Sequence, residues 1–286
     1  LIDPDYSRSN LVRSILPNDD QIWLGTRGGI YIMDKNFIIT SHYSNYIDDK
    51  NSLGHNSVSD IFKDKTGDIW VASRGGFSYV NIKSMGFKYY GAAEQNNKYL
   101  NNPEIYAIFE NENGKILFGT EAGGVNILDK ESGRFTYLVH DEKNTNSLSS
   151  NGVKSILQDS KGNYWFGTFL GGLNHYNEKL NKFTHFVNEP GNDNSLSNNT
   201  VWTLHEDQSG NIWLGTEMGI DRYDPVNNRF QHYNIGVNNQ AVHLIFEDKA
   251  GILFFGSSFS SLAVMKPSSE VSLYDIEARV ICEDSE

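Results

Sequence analysis

Residues 206–224, EDQSGNIWLGTEMGIDRYD, and residues 158–177, QDSKGNYWFGTFLGGLNHYN, are two copies of one phrase. Each opens on an Asp-x-x-Gly-Asn turn, runs through a Trp-x-Gly-Thr strand, turns again at glycine and leaves through a tyrosine. The middle of the phrase returns as Ile22–Thr26, Ile69–Ser73, Ile116–Thr120 and Leu253–Ser257. Its central position falls at residues 23, 70, 117, 165, 213 and 254, with spacings of 47, 47, 48, 48 and 41. A period of about 47 residues is the mark of a repeat architecture.

Around the phrase each copy keeps the same grammar. A short apolar strand precedes it: Val58 to Phe62, Ile105 to Phe109, Val153 to Leu157, Val201 to His205 and Val242 to Phe246. In the turn that follows, glycine supplies a positive φ and aspartate closes the loop through its side chain. After the Trp-x-Gly-Thr strand comes a Gly-rich turn, then a third strand such as Leu173 to Tyr176 and a fourth such as Phe183 to Phe186. Asn51-Ser52-Leu53, Asn146-Ser147-Leu148 and Asn194-Ser195-Leu196 read as polar linkers. No stretch of ten residues carries an uninterrupted helical period.

Four short strands with tight turns make one antiparallel sheet per repeat. A lone sheet of this composition exposes tryptophan and isoleucine on both faces. Stacking the sheets around an axis hides them, so the sequence predicts an all-β fold, a β-propeller of four-stranded antiparallel blades. The blades fall at about 11–57, 58–104, 105–152, 153–200, 201–241 and 242–277 of a single domain covering 1–286. Residues 278–285 align with Val153 to Ser160, so 278–286 predict the inner strand of a seventh blade. The expectation is a seven-bladed design, seen as a fragment of a longer chain, with a six-bladed ring as the alternative.

Charge narrows the partners. The chain carries 24 basic and 36 acidic residues, a formal charge of −12, which repels nucleic acid. No apolar run reaches the length of a membrane helix, so direct insertion of this segment into a membrane is not expected. The N-terminal LIDPDYSRSN lacks the layout of a secretion signal. The single cysteine, Cys282, excludes an internal disulfide.

The combination of apolar strand, Asp-x-x-Gly-Asn, Ile-Trp-x-Gly-Thr, Gly-Gly-Leu and Tyr-Asp resembles the two-component regulator propeller repeat. The resemblance runs from about Leu11 to Ser285. It implies the periplasmic sensor region of a hybrid histidine kinase of Bacteroidetes, part of an inner-membrane protein. On that resemblance the ligand is an oligosaccharide or other polar small molecule, and the full-length receptor acts as a homodimer that signals to a cytoplasmic kinase. A propeller lyase acting on a small molecule and a protein-interaction scaffold are the competing readings.

Residues that vary at equivalent positions are the candidates for binding. The second position of each inner strand reads Arg13, Ser59, Tyr106, Lys154, Trp202, His243 and Arg279, spanning every chemical type among apolar neighbours. The Gly-rich turns add Arg27, Arg74, Glu121, Phe169, Glu217 and Phe259. In a propeller both sets belong at the mouth of the channel, where aromatic faces and arginine or carboxylate groups suit a hydroxyl-rich ligand. Trp23, Trp70, Trp165 and Trp213 occupy the repeat phrase and are read as packing between blades. His42, His185 and His232 share one slot of the fourth strand and are read as structural. The sequence points to no catalytic residue, no metal site and no cofactor.

Overall fold

The computed structural model describes residues 11–49, 51–80, 87–91, 99–233, 240–257 and 261–283. The fold is all-β. Six four-stranded antiparallel sheets, the blades of a β-propeller, have their strands in sequence order. Their strands lie within residues 12–43, 58–91, 105–138, 153–186, 201–233 and 242–274. The chain forms two compact units divided after Tyr137, with blades one to three in the first and four to six in the second.

The Asp-x-x-Gly turn does two jobs with one carboxylate. In blade five, Asp207 Oδ1 accepts the Ser209 and Asn211 amides at 2.9 Å, which shapes the hairpin around Gly210. Its Oδ2 accepts the Trp213 indole N–H at 2.8 Å. Asp64 holds Trp70 and Asp159 holds Trp165 in the same way, both at 2.9 Å. The aspartate and the tryptophan six residues on are therefore one device: the turn fixes the ring, and the buried indole keeps its hydrogen bond. Blade one departs from this pattern. Its hairpin is one residue shorter, pairing Asn18 directly with Gln21, and the buried Trp23 Nε1 has no hydrogen-bond partner among the described residues.

The rings so fixed lie between successive blades within each unit. Trp23 shares a core with Val58, Ile61 and Val71 of the next blade. Trp70 meets Phe118 at 6.3 Å, Trp165 meets Tyr223 at 5.6 Å, and Trp213 meets Phe255 at 5.4 Å. Removing a buried ring of this kind costs about 3–5 kcal/mol. Polar clasps add register between blades: Glu110 accepts the Lys65 amide at 2.8 Å, and Glu206 accepts the Ser160 amide at 2.7 Å.

The Asn-Ser-Leu linkers are more than polar spacers. Leu53, Leu148 and Leu196 are buried to 1% exposure. Asn146 and Asn194 accept the amides of Phe183 and Phe230, each at 2.8 Å, and so seat the outer strand of the blade that follows.

Among the described residues six blades form, not seven, as the six-bladed alternative has it. Residues 278–283 adopt no strand, and residues 284–286 lie outside the described residues. Ala278 nevertheless stands beside blade six as an inner strand would: a Cβ on Gly256 would meet its carbonyl oxygen at 2.1 Å, as one on Gly215 would meet that of Val242 at 2.4 Å. A strand exists only with a ladder partner, and no described strand pairs with this segment.

Candidate functional site

The variable slot of the inner strand is a β-bulge in every blade. Val12 pairs with Thr26 and Ser14 with Gly25, leaving Arg13 without a partner across the ladder. The same skip leaves out Ser59, Tyr106, Lys154, Trp202 and His243. A bulge residue is released from the pleat and its side chain re-aimed. Its chemistry is therefore free to vary without disturbing the core.

The Gly-rich turn brings a second residue to each bulge. The turn is locked by the hydroxyl that ends the Trp-x-Gly-Thr strand. Thr26 Oγ1 donates to Gly29 O at 3.0 Å and accepts the Gly28 amide at 2.9 Å. Gly29, at φ 115°, lets the turn meet the outer strand; a Cβ there would stand 2.2 Å from the Tyr43 carbonyl oxygen. In four blades the first turn residue also donates its amide to the carbonyl just before its own inner strand: Arg74 to Ser57, Glu121 to Glu104, Phe169 to Gly152 and Glu217 to Thr200. Bulge and turn residues of one blade thus become neighbours.

In the first unit these pairs open onto a cavity of about 890 Å³. Its lining includes the bulge residues Arg13, Ser59 and Tyr106 and the turn arginines Arg27 and Arg74. Arg13 donates to Ser57 Oγ at 3.3 Å, and Ser59 Oγ donates to Ile105 O at 2.7 Å. Arg74 pairs with Glu104 at 3.3 Å in an exposed salt bridge. Tyr106 hydrogen-bonds Glu121; burial first, then the negative charges of Glu121 and Glu104, push its phenol up to about 12. It is a neutral donor and acceptor at physiological pH.

In the second unit the corresponding residues touch one another. The Trp202 indole donates to Glu217 at 2.7 Å and its ring lies 4.8 Å from His243. The Lys154 ammonium sits 5.5 Å from the Phe169 ring and 5.6 Å from the Trp202 ring, within cation–π range. Burial, and then the charge of Arg279, lower the His243 pKa from its ordinary value. Phe259, the sixth turn residue, lies outside the described residues.

Nine of these candidates lie in two groups. Arg13, Arg27, Arg74 and Tyr106 share the cavity of the first unit, with Glu121 bonded to Tyr106. Lys154, Trp202, Glu217 and His243 form the cluster of the second. Sequence reasoning passed over Glu104 and His55, which also line the cavity. Both lie in the linker before an inner strand, where no repeat-to-repeat comparison singled them out. The fourth-strand histidines do different work. His42 bonds Gly28 O at 2.9 Å and lines the cavity, His185 bonds Ser147 O at 2.8 Å, and His232 pairs with the buried Asp221 at 2.7 Å. The Asp221 hydrogen bond raises the His232 pKa.

The family model of the two-component regulator propeller repeat matches residues 52–75 and 195–218. The model of the SMP-30/gluconolactonase/LRE-like region matches residues 66–206. No curated protein matches. Among solved structures, a protein described as the extracellular domain of a hybrid two-component system from B. thetaiotaomicron is 26% identical, with a TM-score of 0.76. That match covers 95% of this chain and 35% of the other, so the chain spans about a third of that structure's length. Virginiamycin B lyase from Staphylococcus aureus superimposes with a TM-score of 0.70 at 15% identity, over 95% of this chain and 86% of that one. Likeness at that identity speaks to the fold alone.

Proposed function

We propose that the chain is a ligand-sensing propeller from the periplasmic region of a hybrid two-component receptor, recognising an oligosaccharide at its bulge and turn residues. One observation carries this reading: the 26% identity, over 95% of the chain, to an extracellular domain of such a system. The receptor is an inner-membrane homodimer in which binding biases a geometry read by a cytoplasmic kinase. Binding rather than catalysis is what the bulges favour. They present side chains of mixed chemistry from rigid hairpins, three of them around one cavity in the first unit, which suits recognition of many hydroxyls at once.

The test is a thermal-shift screen of the chain against a panel of oligosaccharides, followed by calorimetry on each hit. A ligand that binds only the folded protein raises its melting temperature by mass action. Trp202→Ala and Lys154→Ala report on the second unit, Arg13→Ala and Tyr106→Phe on the first. Affinity unchanged in all four variants removes the bulge residues from the site.

A further inference from the structure

The cavity of the first unit has a charge opposite to that of the protein around it. The chain as a whole carries −12. Arg13, Arg27 and Arg74 line this one cavity, with Glu104 as the only acidic lining residue among the described residues. Three cations gathered in an acidic protein set up a local field that concentrates small anions while the wider surface turns away long polyanions.

The arginines are presented on built structure. Arg27 follows Thr26, whose hydroxyl clamps the turn, and precedes Gly28, whose carbonyl is bonded by His42. The His42 ring stacks on Tyr31 at 4.0 Å, which holds the far side of that turn. Among the described residues the Arg27 side chain makes no hydrogen bond or ion pair. The Arg74–Glu104 bridge is exposed, with side chains 69% and 34% accessible. An exposed pair of this kind contributes little, so an incoming carboxylate or sulfate can compete with Glu104 for the guanidinium. A guanidinium presents parallel N–H groups that match the two oxygens of either anion.

Much of the remaining wall bears hydroxyls. Ser57, Ser59 and the phenol of Tyr106 face the same space. A volume of about 890 Å³ lies in the ordinary range for small-molecule sites, about 300–1,000 Å³. Cationic groups on one side and hydroxyls on the other suit a short sugar bearing an acid group.

Resting on the sensor reading above, we propose that this cavity selects a short anionic saccharide, one carrying a carboxylate or a sulfate, with Arg27 as the lead contact to the anion and Arg13 and Arg74 supporting it.

The test uses the intact chain and matched pairs of probes. Oligogalacturonides of two to four sugars are compared by calorimetry with their carboxyl-reduced counterparts, and an unsaturated chondroitin sulfate disaccharide with its desulfated, carboxyl-reduced form. Each pair keeps its hydroxyls and differs in charge. In at least one pair the acidic member is expected to bind about ten- to hundredfold more tightly, with affinity falling as salt rises. Arg27→Ala should lose about tenfold or more and Arg27→Lys less, with the melting temperature of each unliganded variant unchanged. Equal binding of the charged and neutral members, or full affinity in Arg27→Ala, overturns the anion assignment and leaves the sensor reading standing. If no saccharide in this panel or the wider screen binds, both fall.

Discussion

Thr120 ends the Trp-x-Gly-Thr strand of blade three and is fully buried, at 0% exposure. Its hydroxyl donates to Gly124 O and accepts the Gly123 amide, both at 3.0 Å. Thr120→Val keeps the shape and removes both bonds. The Gly124 carbonyl still accepts the Thr120 amide at 3.1 Å, whereas the Gly123 amide loses the hydroxyl that accepts it. A buried unsatisfied donor costs about 1–3 kcal/mol and the lost donated bond about 0.5–1.5 more, so the variant should be about 2–4 kcal/mol less stable. Thr120→Ser is the informative comparison, because blade two carries Ser73 at this position and keeps the bond, to Gly76 O at 2.9 Å. Serine loses one buried methyl, about 1 kcal/mol. Urea unfolding at constant m-value, supported by calorimetry, should rank the proteins wild type, Ser, then Val. For a chain of this size each kcal/mol shifts the melting temperature by about 2–4 °C. Because Glu121 follows directly, Thr120→Val should also loosen the Tyr106–Glu121 contact and weaken any ligand of the first unit. A valine variant as stable as the serine variant would refute the idea that the hydroxyl, and not the methyl, holds the turn.

Asp207→Asn should cost about 1.5–3 kcal/mol, because an amide N–H₂ comes to face the Trp213 indole N–H. Asp248→Asn, whose turn has Phe254 in the place of the tryptophan and needs only the Oδ1 acceptor, should cost well under 1; denaturant midpoints separate the two. Asp60 accepts the Ser14 hydroxyl at 2.9 Å, and burial raises its pKa to about 6. Since the folded protein holds this proton more tightly than the unfolded chain, stability is greatest below the ordinary carboxylate pKa and falls as pH rises through about 6. The loss amounts to up to about 3 kcal/mol, and Asp60→Asn should remove this component from the stability profile measured between pH 4 and 7. Gly172→Ala, at φ 75° and with the Phe186 carbonyl oxygen 2.2 Å from the new Cβ, should destabilise blade four by more than 1 kcal/mol in the same unfolding assay.

The blades were legible because their signals are local. Asp207 through Asp224 states a turn, a strand, a turn and a strand in one breath, and each statement depends on residues within a few positions of one another. The ring position of Trp213 was readable for the same reason, since repetition at a fixed interval marks a slot the fold reuses. The partner of its indole was not read, although it lies only six residues away, because the Asp207 carboxylate serves hairpin and ring together and only coordinates show the shared oxygen. The linkers misled through composition: Asn-Ser-Leu looks polar, yet Leu148 and Leu196 are core residues and Asn146 and Asn194 seat the outer strands. The inner strand expected beyond the sixth blade failed on pairing. Residues 278–283 have the right pattern, but a pattern makes a strand only when another strand meets it.

At the site, variation from repeat to repeat singled out Arg13, Tyr106, Lys154, Trp202 and His243, and it carried no reason for the variation. The reason is the bulge, a ladder skip that leaves no mark in any one repeat. What the order of residues determined alone is the count and boundaries of the hairpins, because turn chemistry and strand alternation act over neighbours in the chain. Which side chains meet was decided only in three dimensions. Arg13, Arg27 and Arg74 come from different hairpins of two blades, and only the stacking of one sheet on the next brings their charges to a single cavity.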